Sequence, residues 1–180
     1  MPSPCDPRYA PVGDVGAALM MVDSRLKSVY DSSTGTDPDP ARQQMVDQFA
    51  ASLGPTGLDD LLDGTCTLIY TLMTWLRAAC EDHGKDVIEY SVPALVGSMR
   101  VMRKTFRPEV IPTMAGLLVA AGTGLSPNLW RAQHGDWTEA EMNPLEATAV
   151  LLAEHVNRIA DDRLFATRLI TEALAAADQD

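Results

Sequence analysis

The chain has 180 residues, 46% of them hydrophobic, and a formal net charge of −11. This length and apolar content suffice for one domain with a sizeable core. The acidic balance disfavours binding to nucleic acid or to an anionic membrane surface. Three cysteines, Cys5, Cys66 and Cys80, are an odd number, and the last two fall on one predicted helix, too far apart to bond. We therefore expect reduced thiols and a cytoplasmic protein.

The N-terminal part of the sequence predicts one helix between two irregular stretches. Residues 1–11 contain four prolines, which is typical of an extended or disordered arm. The period of the apolar residues then predicts a helix over about Asp14–Tyr30. Residues 31–40, DSSTGTDPDP, indicate a flexible linker that is longer than the ~2–8 residues usual between helices of a bundle.

The first predicted helix carries an apolar seam with heptad spacing. Its members include Val15, Leu19, Val22 and Leu26. Such a seam is found in two-stranded coiled coils, where it would bind a partner protein or a second copy of the chain. Packing inside a helical bundle produces the same pattern. The sequence therefore leaves two alternatives open, a self-associating helix and an internal one.

The longest uncharged stretch predicts a central helix near residues 58–83. Its leucines and other apolar residues cover an arc of roughly 200°, wider than the ~100° face of a surface helix. We therefore expect it to have neighbours on more than one side. Its uncharged part is about 13 residues long, against the ~20 that a membrane span requires.

The opposite face of the central helix is a row of threonines, Thr67, Thr71 and Thr74. Threonine is a mediocre helix former because its branched Cβ restricts χ1. The row could therefore meet a second helix, a ligand or another subunit. The simpler interpretation is a partly exposed face whose hydroxyls bond to carbonyls one turn earlier.

Apolar periodicity and helix-end signals predict the remaining elements. They are helices over about Pro40–Leu53, Pro93–Arg107, Pro112–Gly122 and Asn143–Ala177, the last with a bend near Asp161. Residues 85–91 are expected to form a loop, and the signals at Ser126–Pro127 and Thr138–Glu141 to open only short turns. Gly116 is expected to pack closely on the central helix. The sequence therefore predicts an all-α, single-domain bundle of five or six main helices.

One cluster of basic residues stands out in this acidic chain. It holds 4 of the 14 lysines and arginines, namely Arg100, Arg103, Lys104 and Arg107. Their spacing places them on one flank of a predicted helix. Such a flank could bind a phosphate-bearing ligand, a nucleic-acid backbone or an acidic partner protein. It is also typical of a solvated face that balances acidic clusters elsewhere.

A second candidate surface is the segment Trp130–Trp137, WRAQHGDW. Tryptophan and arginine dominate binding hot spots, so Trp130, Arg131, His134 and Trp137 are candidates for partner binding. Alternatively, both indoles anchor the segment on the core, because such large side chains are highly buried on average.

Motifs for metal binding or catalysis are missing from the sequence. Cys80 and His83 are one helical turn apart, but no CxxC, HExxH or paired ExxH motif completes a metal site. No GxSxG motif is present, and the histidines stand in unrelated contexts. We therefore predict no catalytic residue, no metal and no cofactor.

These patterns favour a non-enzymatic interaction or assembly protein that acts through helix–helix contacts. We expect a homo-oligomer or a protein partner, and neither nucleic acid nor membrane. The alternative is a small-molecule sensor or binding bundle, with an amphipathic or anionic ligand between the threonine row and the basic helix. A third hypothesis is an enzyme whose site comes together only in the fold.

Overall fold

The computed structural model describes residues 10–33, 40–41, 44, 48 and 55–179. Within these ranges all regular elements are helices, which confirms the predicted all-α class. They are α1 Val12–Ser33, α2 Pro55–Glu81, α3 Val87–Tyr90, α4 Val92–Val101, α5 Ile111–Gly122, α6 Pro127–Ala132, α7 Glu139–Ala160 and α8 Phe165–Ala177. The helix predicted over Pro40–Leu53 lies almost wholly outside the described residues. Residues 1–9 of the predicted arm and 34–39 of the predicted linker also lie outside them.

α2 is the centre of the bundle, as its wide apolar arc predicted. It contacts α1, α3, α5, α6, α7 and α8. The buried face includes five side chains that are at most 1% exposed, Leu68, Ile69, Leu72, Met73 and Leu76. Burying one such side chain stabilises the fold by about 1.5–3 kcal/mol. Gly84, with a φ of 66°, supplies the left-handed residue after the helix end.

α1 crosses α2 at a glycine. A Cβ atom added at Gly64 would lie 2.7 Å from the carbonyl carbon of Asp14, so the two backbones can approach this closely only without a side chain there. Val15, Val22 and Leu26 are buried in the same core as the face of α2. The heptad seam of α1 is therefore used for packing inside the bundle.

Residues 85–91, predicted as a loop, instead contain the single helical turn α3. Asp86 caps it, because its Oδ1 accepts a hydrogen bond of 2.7 Å from the N–H of Ile88. Val87 is buried and joins α3 to the core. The prediction was wrong because a helix of four residues is too short to show apolar periodicity.

The prediction that α4 continues to Arg107 was also wrong, since the helix ends at Val101. Met102 leaves the helical region with a ψ of 59°. The chain then turns back, and the N–H of Phe106 donates to the carbonyl of Met102 at 2.8 Å. This turn brings Phe106 into the core, where it is 1% exposed. Burial of one large aromatic ring thus outweighs the continuation of a regular helix.

α5 forms where the sequence predicted it, but the neighbour of Gly116 is different. A Cβ atom at Gly116 would lie 2.6 Å from Cζ2 of Trp130, so this glycine makes room for an indole of α6 and not for α2. Gly122 is the glycine of α5 that faces α2, because a Cβ there would lie 3.1 Å from Cε of Met73.

The long C-terminal helix begins earlier than predicted and is broken in two. The capping box of Thr138 and Glu141 opens α7 itself, and the helix continues through Pro144. It ends where Asp161 adopts a φ of 53°, and α8 begins at Phe165. The buried amide of Asn157 bridges the break, with Nδ2 donating to the carbonyl of Arg163 at 2.8 Å and Oδ1 accepting from the N–H of Ala166 at 2.7 Å.

Candidate functional site

The four clustered basic residues form an exposed surface, which we call the basic edge: Arg100, Arg103, Lys104 and Arg107. Arg100 lies in the last turn of α4, and the other three lie in the irregular segment between α4 and α5. None of the four makes an ion pair with any carboxylate in the described part of the chain. In a protein of net charge −11, these cations thus have no carboxylate partner among the described residues.

Apolar side chains are exposed within the same segment. Val101 is 81% exposed and Met102 is 39% exposed, and both lie between the cations of the basic edge. The turn that buries Phe106 leaves these two side chains in water. Exposed apolar side chains therefore lie beside unpaired cations on this surface.

One end of the basic edge borders a groove, which we call the basic groove. It has a volume of about 740 Å³ and lies between α1, the 104–110 segment and the start of α7. Three cations line it, Arg25, Lys104 and Arg107, together with the polar side chains of Thr105, Thr138, Glu139 and Asn143. Arg25 is not among the predicted site residues, because it lies in α1 and only the fold brings it near Lys104.

Arg25 is held in place by a carboxylate below the groove. Its Nε lies 2.8 Å from Oε1 of Glu146. Burial raises the pKa of Glu146, and the charge of Arg25 opposes that shift. The contact uses Nε, and among the described residues the terminal nitrogens of this guanidinium have no hydrogen-bond acceptor.

The threonine row does not take part in the basic groove. Thr67 is buried, Thr71 is half-buried and Thr74 is exposed. Each hydroxyl donates to a carbonyl four residues earlier, at 3.3, 2.9 and 2.8 Å respectively. No Cα atom of α2 lies within 8 Å of a Cα atom of α4 in the described structure. The fold therefore does not bring the threonine row and the basic residues to one pocket.

The tryptophan segment is folded back on the protein. Trp130 and Trp137 are half-buried against the core. The ring of His134 stacks on that of Trp130 at 4.3 Å between centroids, and its Nδ1 lies 2.7 Å from the carbonyl oxygen of Trp130. His134 is exposed, whereas the two indoles anchor the segment.

Arg131 is 7% exposed and organises what we call the Arg131 cluster. Its Nε donates to the carbonyl of Gly135 at 3.0 Å and Nη2 donates to that of Asp136. Nη1 and Nη2 reach Oε1 and Oε2 of Glu141 at 3.0 and 2.8 Å, and the guanidinium lies 4.6 Å from the ring centroid of Trp137. This is a bidentate ion pair within a closed ring of contacts, so the donors of Arg131 are consumed inside the protein.

The same cluster changes the acidity of Glu141. Burial by itself would raise its pKa, but the hydrogen bond from the N–H of Thr138 and the pair with Arg131 outweigh burial, so the pKa of Glu141 lies below its usual value. The pKa of Asp63, which lines a second groove together with Arg131 and Trp137, is shifted in the opposite direction. Burial, and then the nearby carboxylates of Asp60, Asp59 and Asp14, raise the pKa of Asp63.

The described residues bring together no three His, Cys, Asp or Glu side chains in a group that could hold a metal ion. None of their helices combines the length and apolar character that crossing a bilayer demands. Cys66 and Cys80 are both buried, and Sγ of Cys80 lies 3.7 Å from Oγ of Ser91.

Comparisons with protein-family models, with curated proteins and with solved structures find no match for this chain.

Proposed function

We propose that this chain is a non-enzymatic binding protein that docks an acidic helical segment of a partner protein on the basic edge. The observation that supports this most is the absence of ion pairs at Arg100, Arg103, Lys104 and Arg107 within the described chain. An acidic chain has many carboxylates with which to neutralise its own cations, and it leaves these four free.

The exposed apolar side chains select among anionic partners. Val101 and Met102 offer contacts that a nucleic-acid backbone does not use, whereas an amphipathic acidic helix has both carboxylates and apolar side chains. The net charge of −11 also opposes a long polyanion more strongly than a short acidic segment. The matching chemistry is therefore a helix with glutamates or aspartates beside leucine-like residues.

In this proposal the two kinds of side chain have different roles. The cations steer the approach and fix the orientation of the segment, and they increase the association rate more than the final affinity. Val101 and Met102 lose water on docking and supply most of the favourable free energy. Because Cys66 and Cys80 lie on one helix, too far apart to bond to each other, we expect this interaction to take place in a reducing compartment, the cytoplasm.

Fluorescence anisotropy with a synthetic amphipathic peptide of glutamate and leucine tests the proposal. Wild type should bind it, and should bind a lysine-for-glutamate version far more weakly. Arg100→Ala with Arg103→Ala should weaken binding by about three- to tenfold, since each exposed ion pair contributes about 0.2–1 kcal/mol. Equal binding of the two peptides would contradict the proposal.

A matched control removes the same charge elsewhere. Arg77 and Arg158 are exposed but already paired with Glu81 and Glu154, at 2.9 and 3.0 Å. Arg77→Ala with Arg158→Ala should leave peptide affinity nearly unchanged. Sedimentation velocity without peptide tests whether a second copy of the chain is the occupant. In that case the basic-edge variant, and not the control, would lower the sedimentation coefficient.

A further inference from the structure

We infer that the basic groove is a separate site for a small hydroxylated phosphate ester. This inference goes beyond docking on the basic edge, because it needs Arg25 and α7 and does not need Arg100 or Arg103. Three cations from two distant parts of the sequence line one groove, and about 740 Å³ is within the ~300–1,000 Å³ of small-molecule sites.

The cations of the groove are available to a ligand. Lys104 and Arg107 are exposed and make no ion pair in the described part of the chain. Arg25 is fixed through Nε by Glu146, which leaves its terminal nitrogens for another acceptor. An oriented guanidinium can donate two parallel hydrogen bonds to a phosphate, while a lysine contributes a mobile point charge.

The polar lining points to more than a bare anion. Thr105 and Asn143 carry hydroxyl and amide groups that can donate to phosphate oxygens. Glu139 also lines the groove, and its carboxylate repels a polyanion but accepts hydrogen bonds from hydroxyl groups. One negative group beside three cations therefore suits a ligand with a phosphate at one end and hydroxyls at the other.

The groove is also a rigid place to hold such a ligand. Its wall on the α7 side is fixed by the capping box, in which the N–H of Thr138 donates to Oε2 of Glu141 at 3.0 Å. Glu141 is in turn held by Arg131 at 2.8 Å. These bonds fix the start of α7 beside the three side-chain cations of the groove.

Isothermal titration and amide NMR with glucose 6-phosphate, inorganic phosphate and glucose test the inference. Inorganic phosphate should shift amide resonances around Lys104, Arg107 and Thr138, and glucose 6-phosphate should bind more tightly than phosphate. Glucose should not bind measurably. Absence of phosphate-induced shifts at these residues, even at tens of millimolar, would overturn the inference.

A matched pair of variants separates the groove from the rest of the edge. Lys104→Ala with Arg107→Ala should lower the affinity for glucose 6-phosphate by about tenfold or more. Arg100→Ala with Arg103→Ala removes the same charge outside the groove and should change it by less than about twofold. Equal losses in both variants would show unspecific attraction and overturn the site.

The outcomes also distinguish this site from the proposed docking function. Loss of acidic-peptide binding in the Arg100/Arg103 variant, together with no phosphate binding in wild type, would leave the docking function and remove the groove site. Phosphate binding without discrimination between the acidic and basic peptides would leave the groove site and remove the docking function. Circular dichroism of each variant excludes unfolding as the cause of a loss.

Discussion

Two arginine-containing regions of this protein use the same side chain in opposite ways. In the Arg131 cluster the guanidinium is buried, and its donors are taken up by Glu141 and by the carbonyls of Gly135 and Asp136. On the basic edge Arg103 is exposed and makes no ion pair within the described residues. The first arrangement stabilises a loop, and the second leaves charge available for something else. Residue type alone thus does not distinguish structural arginines from binding ones.

Removal of the buried arginine is the strongest test of this comparison. Arg131→Ala leaves Glu141 without its partner, so we expect the free energy of unfolding to fall by about 3–5 kcal/mol. Arg103→Ala should change it by no more than about 0.5 kcal/mol. Urea denaturation of both variants measures the difference, and similar losses in the two would show that the comparison is mistaken.

The indole next to Arg131 gives the next largest effect. Gly116→Leu forces a side chain into the space of Trp130, where even a Cβ would lie 2.6 Å from Cζ2, and should cost about 1–3 kcal/mol. Gly97→Ala is the control, because a Cβ there meets nothing within 4 Å. In mid-helix this change should stabilise by about 0.5–1 kcal/mol. A stable Gly116→Leu protein would mean that Trp130 is not anchored.

Two carboxylates, that of Glu141, which pairs with Arg131, and that of Asp63, should respond to pH with opposite signs. The pKa of Glu141 is lowered in the folded state, so its contribution to stability is present above its ordinary value of 4.5 and is lost as the pH falls below that value. Glu141→Gln should therefore flatten the loss of stability in acid. Denaturant titrations across this pH range measure it, and an unchanged slope would refute the assignment.

Asp63 provides the counterpart. Its raised pKa means that the ionised carboxylate opposes folding, so stability falls as the pH rises through its ordinary value of 3.8 and above. Asp63→Asn should stabilise the protein at neutral pH, and the advantage should disappear in acid below that value. A variant that is less stable than wild type at neutral pH would contradict this sign.

The smallest effect is expected on the threonine row. The Thr74 hydroxyl bonds only to the carbonyl of Tyr70, at 2.8 Å, and the side chain is exposed. Thr74→Ala should leave stability unchanged or raise it by a few tenths of a kcal/mol, because alanine is the better helix former. Loss of acidic-peptide or phosphate-ester binding in this variant would show that the threonine row takes part in binding after all.

The sequence predicted those features that depend on many residues acting in phase. α2 and the seam of α1 each have several apolar residues at helical spacing, so one exception does not change the pattern. The end of α4 depended instead on the burial of Phe106, and α3 on the cap at Asp86. Single contacts of this kind leave no periodic trace in the sequence.

The candidate sites were predictable only in part, for a related reason. The four residues of the basic edge lie close together in the sequence and were predicted as one cluster. The prediction that all four lie on the flank of a helix was wrong, because α4 ends at Val101. Arg25 could not be assigned to the basic groove, because α1 carries no basic motif and meets the 104–110 segment only in the fold. The buried state of Arg131 depends on Glu141, across an intervening turn.

The bridge made by Asn157 has a consequence for the order of folding during synthesis. Besides joining α7 to α8, its Nδ2 donates to the hydroxyl of Tyr30 at 3.0 Å, across 127 residues of chain. A nascent chain leaves the ribosome from its N-terminus, so α1 can meet α2 at Gly64 long before Asn157 exists. The end of α1 near Tyr30 must then wait for the last third of the protein. If translation pauses before Asn157 is made, we expect an α1–α2 hairpin in which the hydrogen bond from Asn157 to Tyr30 has not yet formed.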